Sequence, residues 1–103
     1  MKESAIEKYL NDIVKIRGGF TRKVVYQGRK GSPDRWCFFN NRLLIIELKR
    51  PGEKPEPLQD VELRRLREAG MAVCWADCKD RVAKAVLDFE RLTPERFNDE
   101  WPL

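Results

Sequence analysis

Asp34, Glu47 and Lys49 are the residues of this chain whose types and spacing suit hydrolytic chemistry. Asp34 ends the segment Gly31-Ser32-Pro33-Asp34 and opens an apolar run, Trp36-Cys37-Phe38-Phe39. A polar turn, Asn40-Asn41-Arg42, leads into Leu43-Leu44-Ile45-Ile46-Glu47-Leu48-Lys49. If the two runs pair as a hairpin, Asp34 and Glu47 lie at the same end of it. Two carboxylates held together repel unless a cation or a proton sits between them. Hard divalent cations take oxygen ligands of this kind, so a metal site is the natural expectation. Glu47 also interrupts an apolar strand, where a carboxylate is costly to bury unless it is paired or binds metal. Lys49, two residues on, points to the same face, and a purely structural Glu47–Lys49 ion pair is the plainer reading.

Composition narrows the chemistry. The chain has 103 residues, 21 basic and 17 acidic side chains and no histidine. Ser-His triads, histidine zinc sites and histidine bases are therefore excluded. The net charge of +4 and a pI near 9.1 fit a nucleic-acid partner and equally fit an ordinary basic protein. Cys37, Cys74 and Cys78 are an odd set with no second pair to complete a zinc site. Cys37 and Cys74 fall inside apolar strands and read as small core residues in a reducing compartment. No apolar run reaches the ~20 residues of a membrane span, and no signal-peptide core follows Met1-Lys2-Glu3-Ser4. One cytoplasmic domain over residues 1–103 is expected, with a core of about 3–92 and a tail at 93–103.

The positioning elements follow from periodicity. Residues 3–17 predict an amphipathic helix with Ile6, Tyr9, Leu10, Ile13 and Val14 as its apolar stripe, ended by Gly18-Gly19. On that helix Glu3 lies ~65° and Glu7 ~105° from the stripe's centre. Glu3 either leans toward the core's edge or simply favours the helix N-terminus. Residues 20–26 predict a strand, followed by a basic, glycine-bracketed loop, Gln27-Gly28-Arg29-Lys30-Gly31, suited to close approach of a phosphate backbone. Strands at 34–39 and 43–48 come next, the latter apolar on both faces and hence central. A proline-rich connector, 50–57, leads to a helix at 58–69 with Leu58, Val61, Leu66 and Ala69 on one side and Gln59 flanking it. A strand at 71–76 and a helix capped by Asp80, with Val82, Ala85, Val86 and Phe89 buried, complete the body. Thr93-Pro94-Glu95 can start a further helical turn, and Trp101 packs on the body or on a second subunit. The order α-β-β-β-α-β-α gives an α/β fold: an antiparallel meander, then a crossover to a parallel fourth strand, with helices on both faces.

Pro33-Asp34, twelve intervening residues and Glu47-Leu48-Lys49 resemble the motif of the PD-(D/E)xK, restriction-endonuclease-like nucleases. Gly31-Ser32-Pro33-Asp34, the strand ending Ile46-Glu47-Leu48-Lys49, and the proline-rich loop before Leu58-Gln59 are together similar to the VRR-NUC branch. Glu3 matches the glutamate of that branch's N-terminal helix. The likeness spans about residues 3–76; Ser32 before the proline and Glu7, where glutamine is frequent, depart from it. It implies that Asp34 and Glu47 bind Mg²⁺ or Mn²⁺ with the Leu48 backbone carbonyl, and that Glu3 does so directly or through water. Lys49 would orient or activate the attacking water, and Gln59 would assist it. Arg22, Lys23, Arg29, Lys30, Ser32, Arg42 and Arg50 are the expected DNA contacts.

A chain this short resembles the free-standing, phage-type members, which look like Holliday-junction resolvases. That implies a metal-dependent DNA endonuclease acting on branched DNA as a homodimer, since two symmetric cuts need two sites. Trp101, Leu103 and parts of the 71–76 strand are the apolar candidates for its interface. Two other readings compete: a catalytically inactive nucleic-acid-binding module of the same fold, and an unrelated α/β domain with a coincidental motif.

Overall fold

In the computed structural model the backbone is described for residues 3–31, 33 and 35–103, and side chains from Ala5 onward within that set. Met1, Lys2, Ser32, Asp34 and the side chain of Glu3 lie outside the described residues. The elements run α1 (Glu3–Ile16), β1 (Phe20–Lys23), β2 (Arg35–Phe39), β3 (Arg42–Leu48), α2 (Pro57–Glu68), β4 (Ala72–Ala76), α3 (Lys79–Arg91) and α4 (Pro94–Glu100).

The sheet has the order β1-β2-β3-β4, with antiparallel β1–β2 and β2–β3 pairs and a parallel β3–β4 pair. Phe39 faces Arg42 across a two-residue turn in which Asn40 and Asn41 take φ of 56° and 58°. Both central residues of a type I′ hairpin need positive φ, which asparagine tolerates. The turn sets the register that brings Arg35 opposite Ile46, one residue short of Glu47. The parallel partner arrives through α2, as a crossover requires.

Alternation along the strands divides the core. Cys37, Phe39, Leu44, Ile46, Leu48, Cys74 and Ala76 point to one face and pack under α1 and α3, through Ile6, Leu10 and Val14 and through Val82, Ala85, Val86 and Phe89. The other face carries a smaller cluster of Ile45, Leu63 and Val73, flanked by Trp36, Leu43 and Leu66. Burial pushes the Cys74 thiol up to about 12 and the Cys37 thiol well above its usual value, so both behave as apolar core groups.

Four elements depart from the sequence reading. β1 ends at Lys23, and 24–26 begin the loop toward α2. On α2, Leu58 and Val61 are 58% and 54% exposed; the inward face is Gln59, Glu62, Leu63, Leu66 and Arg67. That set also has helical spacing, with Leu63 fully buried at its centre. The α3 N-cap is Cys78, extended at φ −159°, and Asp80 sits inside the first turn. The expected tail at 93–103 carries a full helix, α4, begun at Thr93-Pro94-Glu95 as expected: Thr93 Oγ1 accepts from the Arg96 N–H, and Phe97 and Trp101 enter the core.

Candidate active site

Glu47 is the penultimate residue of β3 and is 1% exposed. Two elements bring donors to it. Gln59, in the first turn of α2, donates from Nε2 to Glu47 Oε2 at 2.8 Å. Its Oε1 accepts the Glu56 N–H at 2.9 Å. The backbone N–H can only donate, so it fixes the amide orientation and aims the NH₂ group at the carboxylate. Lys49 Nζ lies 3.4 Å from the same Oε2, and its side chain is 13% exposed. The Lys49 N–H bonds Ala76 O at 2.9 Å, which continues the β3–β4 ladder past Leu48 and keeps the strand end straight. Glu47, Lys49 and Gln59 are thus brought together, with the buried Leu48 backbone between the two charged residues. Asp34 and Ser32 lie outside the described residues; Asp34 directly precedes Arg35, the partner of Ile46. Glu3 stands at the start of α1, one turn before Glu7.

Gln59 points inward because it belongs to the face of α2 that packs on the sheet. Residues Pro55-Glu56-Pro57 start the helix at this height, with Pro57 in its first turn, where its missing N–H costs nothing.

The basic loop closes one side of the site. Tyr26 donates from its hydroxyl to Glu62 Oε2 at 2.6 Å, and Arg29 lies 3.6 Å from Glu62 Oε1. Burial, with the Glu62 hydrogen bond, pushes the Tyr26 hydroxyl up to about 12, so it stays a donor. Gly31, at φ +92°, runs so close to α2 that a Cβ there would sit 2.9 Å from Leu58 O. A cleft of about 380 Å³ remains between them, lined by Lys30, Gly31, Glu56, Pro57, Leu58 and Gln59.

The remaining expected DNA contacts divide by location. Lys23 is opposite Arg35 at the Glu47 end of the sheet. Arg50, directly after Lys49, is exposed, and the turn behind it is held by the Gly52 N–H bonding Asp77 Oδ2 at 3.0 Å. Arg22 is exposed on β1. Arg42 is a correction: its guanidinium bonds the carbonyls of Phe89 and Leu92 at 2.5 and 2.6 Å and caps the end of α3, away from Glu47. Of the expected interface residues, Trp101 packs on the body and Leu103 is half-buried against the smaller cluster. Trp101 is 5% exposed and bonds Asp88, while the 72–76 strand is buried and its main chain accepts or donates to Arg67, Arg81 and Asn98 side chains. Two contributors escaped the sequence reading: Arg35, paired with Glu7 at 2.8 Å, which ties α1 to the start of β2, and Glu62. Its i+3 spacing from Gln59 on the buried face was the available signal for Glu62.

A mixed four-stranded sheet flanked by helices, with an acid and a lysine two apart at the end of the central strand, defines the restriction-endonuclease-like class of nucleases. No protein-family model matches the chain. A protein named "Putative nuclease p44", of Acyrthosiphon pisum secondary endosymbiont phage 1, is 41% identical over 81 residues, 78% of this chain and 87% of that relative. A solved structure described as a VRR_NUC domain superposes with a TM-score of 0.79 at 29% identity, over 84% of this chain and 96% of the other. The chain belongs to the VRR-NUC family of nucleases.

Proposed function

We propose that this protein is a divalent-metal-dependent DNA endonuclease that cuts branched DNA, of the Holliday-junction type, as a homodimer in the cytoplasm. The observation that carries the reading is the buried Glu47 carboxylate with Gln59 and Lys49 converging on it. Family membership supports hydrolysis of phosphodiesters, and among the described residues no helix is long and apolar enough to cross a membrane.

The donor set fits a hard cation. Carboxylate and main-chain oxygens stand at the β3 end, and the buried thiols of Cys37 and Cys74 belong to the opposite face of the sheet. Oxygen donors of this kind suit Mg²⁺ or Mn²⁺. In this reading Asp34, Glu47 and the Leu48 carbonyl hold the ion, with Glu3 contributing directly or through water. When bound, the ion lowers the pKa of a water and neutralises charge on the scissile phosphate. Lys49 orients the attacking water and steadies the charge that develops on the phosphate. Gln59 holds the Glu47 carboxylate in one rotamer. Arg22, Lys23, Arg29, Lys30, Ser32 and Arg50 bind flanking phosphates.

The test is cleavage of a labelled four-way junction beside a linear duplex of the same sequence, in Mg²⁺, Mn²⁺ and EDTA. Paired, metal-dependent cuts on the junction alone are expected, together with a dimer in sedimentation. Cutting of both substrates removes the branch specificity. Binding without cutting in any metal replaces this reading with an inactive binding module.

A further inference from the structure

The stretch from Ile13 to Pro33 carries six basic side chains and no acidic one, while the other 82 residues hold 15 basic and 17 acidic. At its centre Phe20 stacks on Phe38 across the β1–β2 pair, with ring centroids 5.0 Å apart and planes at 22°. The Arg22 guanidinium lies 4.5 Å over the Phe20 ring. Phe20 nevertheless keeps 50% of its surface exposed on an edge strand. What sets it apart from the other exposed apolar side chains is the stack: a second ring beneath it and a guanidinium over it.

The surroundings leave room beside this stack. A hollow of about 540 Å³ opens beside the pair, lined among others by Gly18, Gly19, Phe20, Phe38, Asn41 and Arg42. Gly19 lets the turn before β1 run against β2 and so sets the wall of the hollow, because a Cβ there would sit 2.2 Å from Phe38 O. The stack faces the same way as the candidate active site. Phe38 pairs with Leu43, and Leu43, Ile45 and Glu47 alternate onto one face, the face on which Leu63 of α2 packs. Four residues along β3 and two strands across put Phe20 about 17 Å from Glu47.

We propose that Phe20, Phe38 and Arg22 form a shelf that binds an unpaired nucleotide of the DNA substrate a short way from the cut. A base extends the aromatic–guanidinium stack, as bases do on single-strand-binding surfaces. Arg22, on the same face as Phe20, supplies charge for its phosphates, so the contact weakens with salt. Two of the six cations, Arg17 and Arg29, meet Glu90 and Glu62, so the charge beside the ring is that of Arg22, and a second copy meeting this surface through a two-fold axis would set Arg22 against itself. The proposal rests on the nuclease reading for the identity of the polymer and adds an unpaired segment to the substrate.

The test is fluorescence anisotropy in EDTA with the full chain. The probes are a short duplex bearing a single-stranded thymidine tail and the same duplex with an abasic tail. Wild type binds the thymidine tail about tenfold more tightly than the abasic one, and Phe20→Ala erases the preference while Phe20→Trp keeps it. A 2-aminopurine in the tail is quenched by wild type and by Phe20→Trp, and not by Phe20→Ala. Equal affinity of wild type for both tails overturns the proposal. So does a preference that survives Phe20→Ala, including the case in which that variant only converts a dimer to a monomer. Because no cleavage is needed, the shelf can fail while the enzyme still cuts, and it can stand if no metal supports cutting.

Discussion

Glu47 and Asp88 are the two carboxylates buried among the described side chains, at 1% and 6% exposure, and their surroundings differ in kind. Asp88, on α3, receives Lys84 Nζ at 2.6 Å, Arg91 at 2.9 Å and the Trp101 indole N–H at 2.9 Å. The first two come from its own helix at i−4 and i+3, and the third pins α4 and the chain end. Burial raises the Asp88 carboxyl, but the bonds from Lys84, Trp101 and Arg91 outweigh it and bring the group below the ordinary 3.8. Glu47 instead receives a neutral amide from one element and an ammonium 3.4 Å away on the next residue of its own face. Asp88 is thus neutralised by two cations at short range for the sake of packing. Glu47 is held instead by side chains that converge on it at the end of a strand, one of them an amide fixed by the first turn of α2.

The variant that presses hardest on this contrast is Glu47→Gln. Under the proposed function cleavage falls by about 10³-fold or more, since the ion loses a charged ligand. The fold is kept, because the near-isosteric amide oxygen still accepts from Gln59. Saturating Mg²⁺ raises wild-type stability by about 2–3 kcal/mol at ~100-fold excess over its dissociation constant and leaves the melting point of Glu47→Gln unmoved. Thermal melts with and without Mg²⁺ check this, and unfolding of Glu47→Gln would instead make the Glu47–Lys49 pair structural.

The mirror experiment is Asp88→Ala, which costs about 3 kcal/mol of stability by leaving the Trp101 N–H and two cations without their acceptor. The Mg²⁺ response of its melting point stays that of wild type. Because the folded pKa is depressed, the Asp88 contribution is complete above the ordinary carboxylate value and is lost as pH falls through the lower folded one. Urea melts between pH 2 and 5 therefore show an acid-labile component in wild type that Asp88→Ala lacks. A retained component would assign it to other carboxylates.

The two carboxylates were not equally legible. Glu47 stands out in sequence because it breaks a continuous apolar run, and the Asn40-Asn41 turn fixes the register around it. Asp88 sits among polar residues at helical spacing, and nothing local distinguishes it from a solvated acid; only the return of Trp101 from α4 buries it. The same limit explains α2. Leu58 and Val61 have the right spacing for a buried stripe, yet both stay more than half exposed, Leu58 on the rim of the cleft, and Leu63 with Gln59 and Glu62 turns inward. Strand order, the hairpin and the α1 and α3 stripes follow from local pattern, whereas contacts between distant segments, such as Arg42 on the end of α3, do not.

Gln59→Ala yields a smaller, intermediate effect. The Glu56 N–H and the Glu47 carboxylate both lose a partner, so the carboxylate samples other rotamers. Cleavage at saturating DNA drops by about tenfold, at the low end of what a misplaced group costs. Gln59→Glu restores the bond to the Glu56 N–H but sets a like charge against Glu47 and performs worse than Gln59→Ala. The reverse order would mean that Gln59 acts only as a helix cap.

Glu62→Gln is the mildest and isolates the loop from the chemistry. The Tyr26 hydroxyl keeps an acceptor in the amide oxygen, while Arg29 loses its charged partner. The Arg29 end of the pair is solvated and the ions are 3.6 Å apart, so it contributes about 1 kcal/mol or less and stability changes little. Two effects then oppose each other. Arg29 is released to reach phosphate, which strengthens encounter, and the loop over the cleft is less tightly held, which weakens placement. Arg29 is more than half exposed and can already meet a phosphate without leaving Glu62, so the loss of placement dominates. KM for DNA rises about threefold with kcat unchanged. A fall in kcat of the size seen for Gln59→Ala would show instead that the loop contact with α2 positions Gln59 itself, which would join Glu62 to the Glu47 site rather than to the DNA-binding wall.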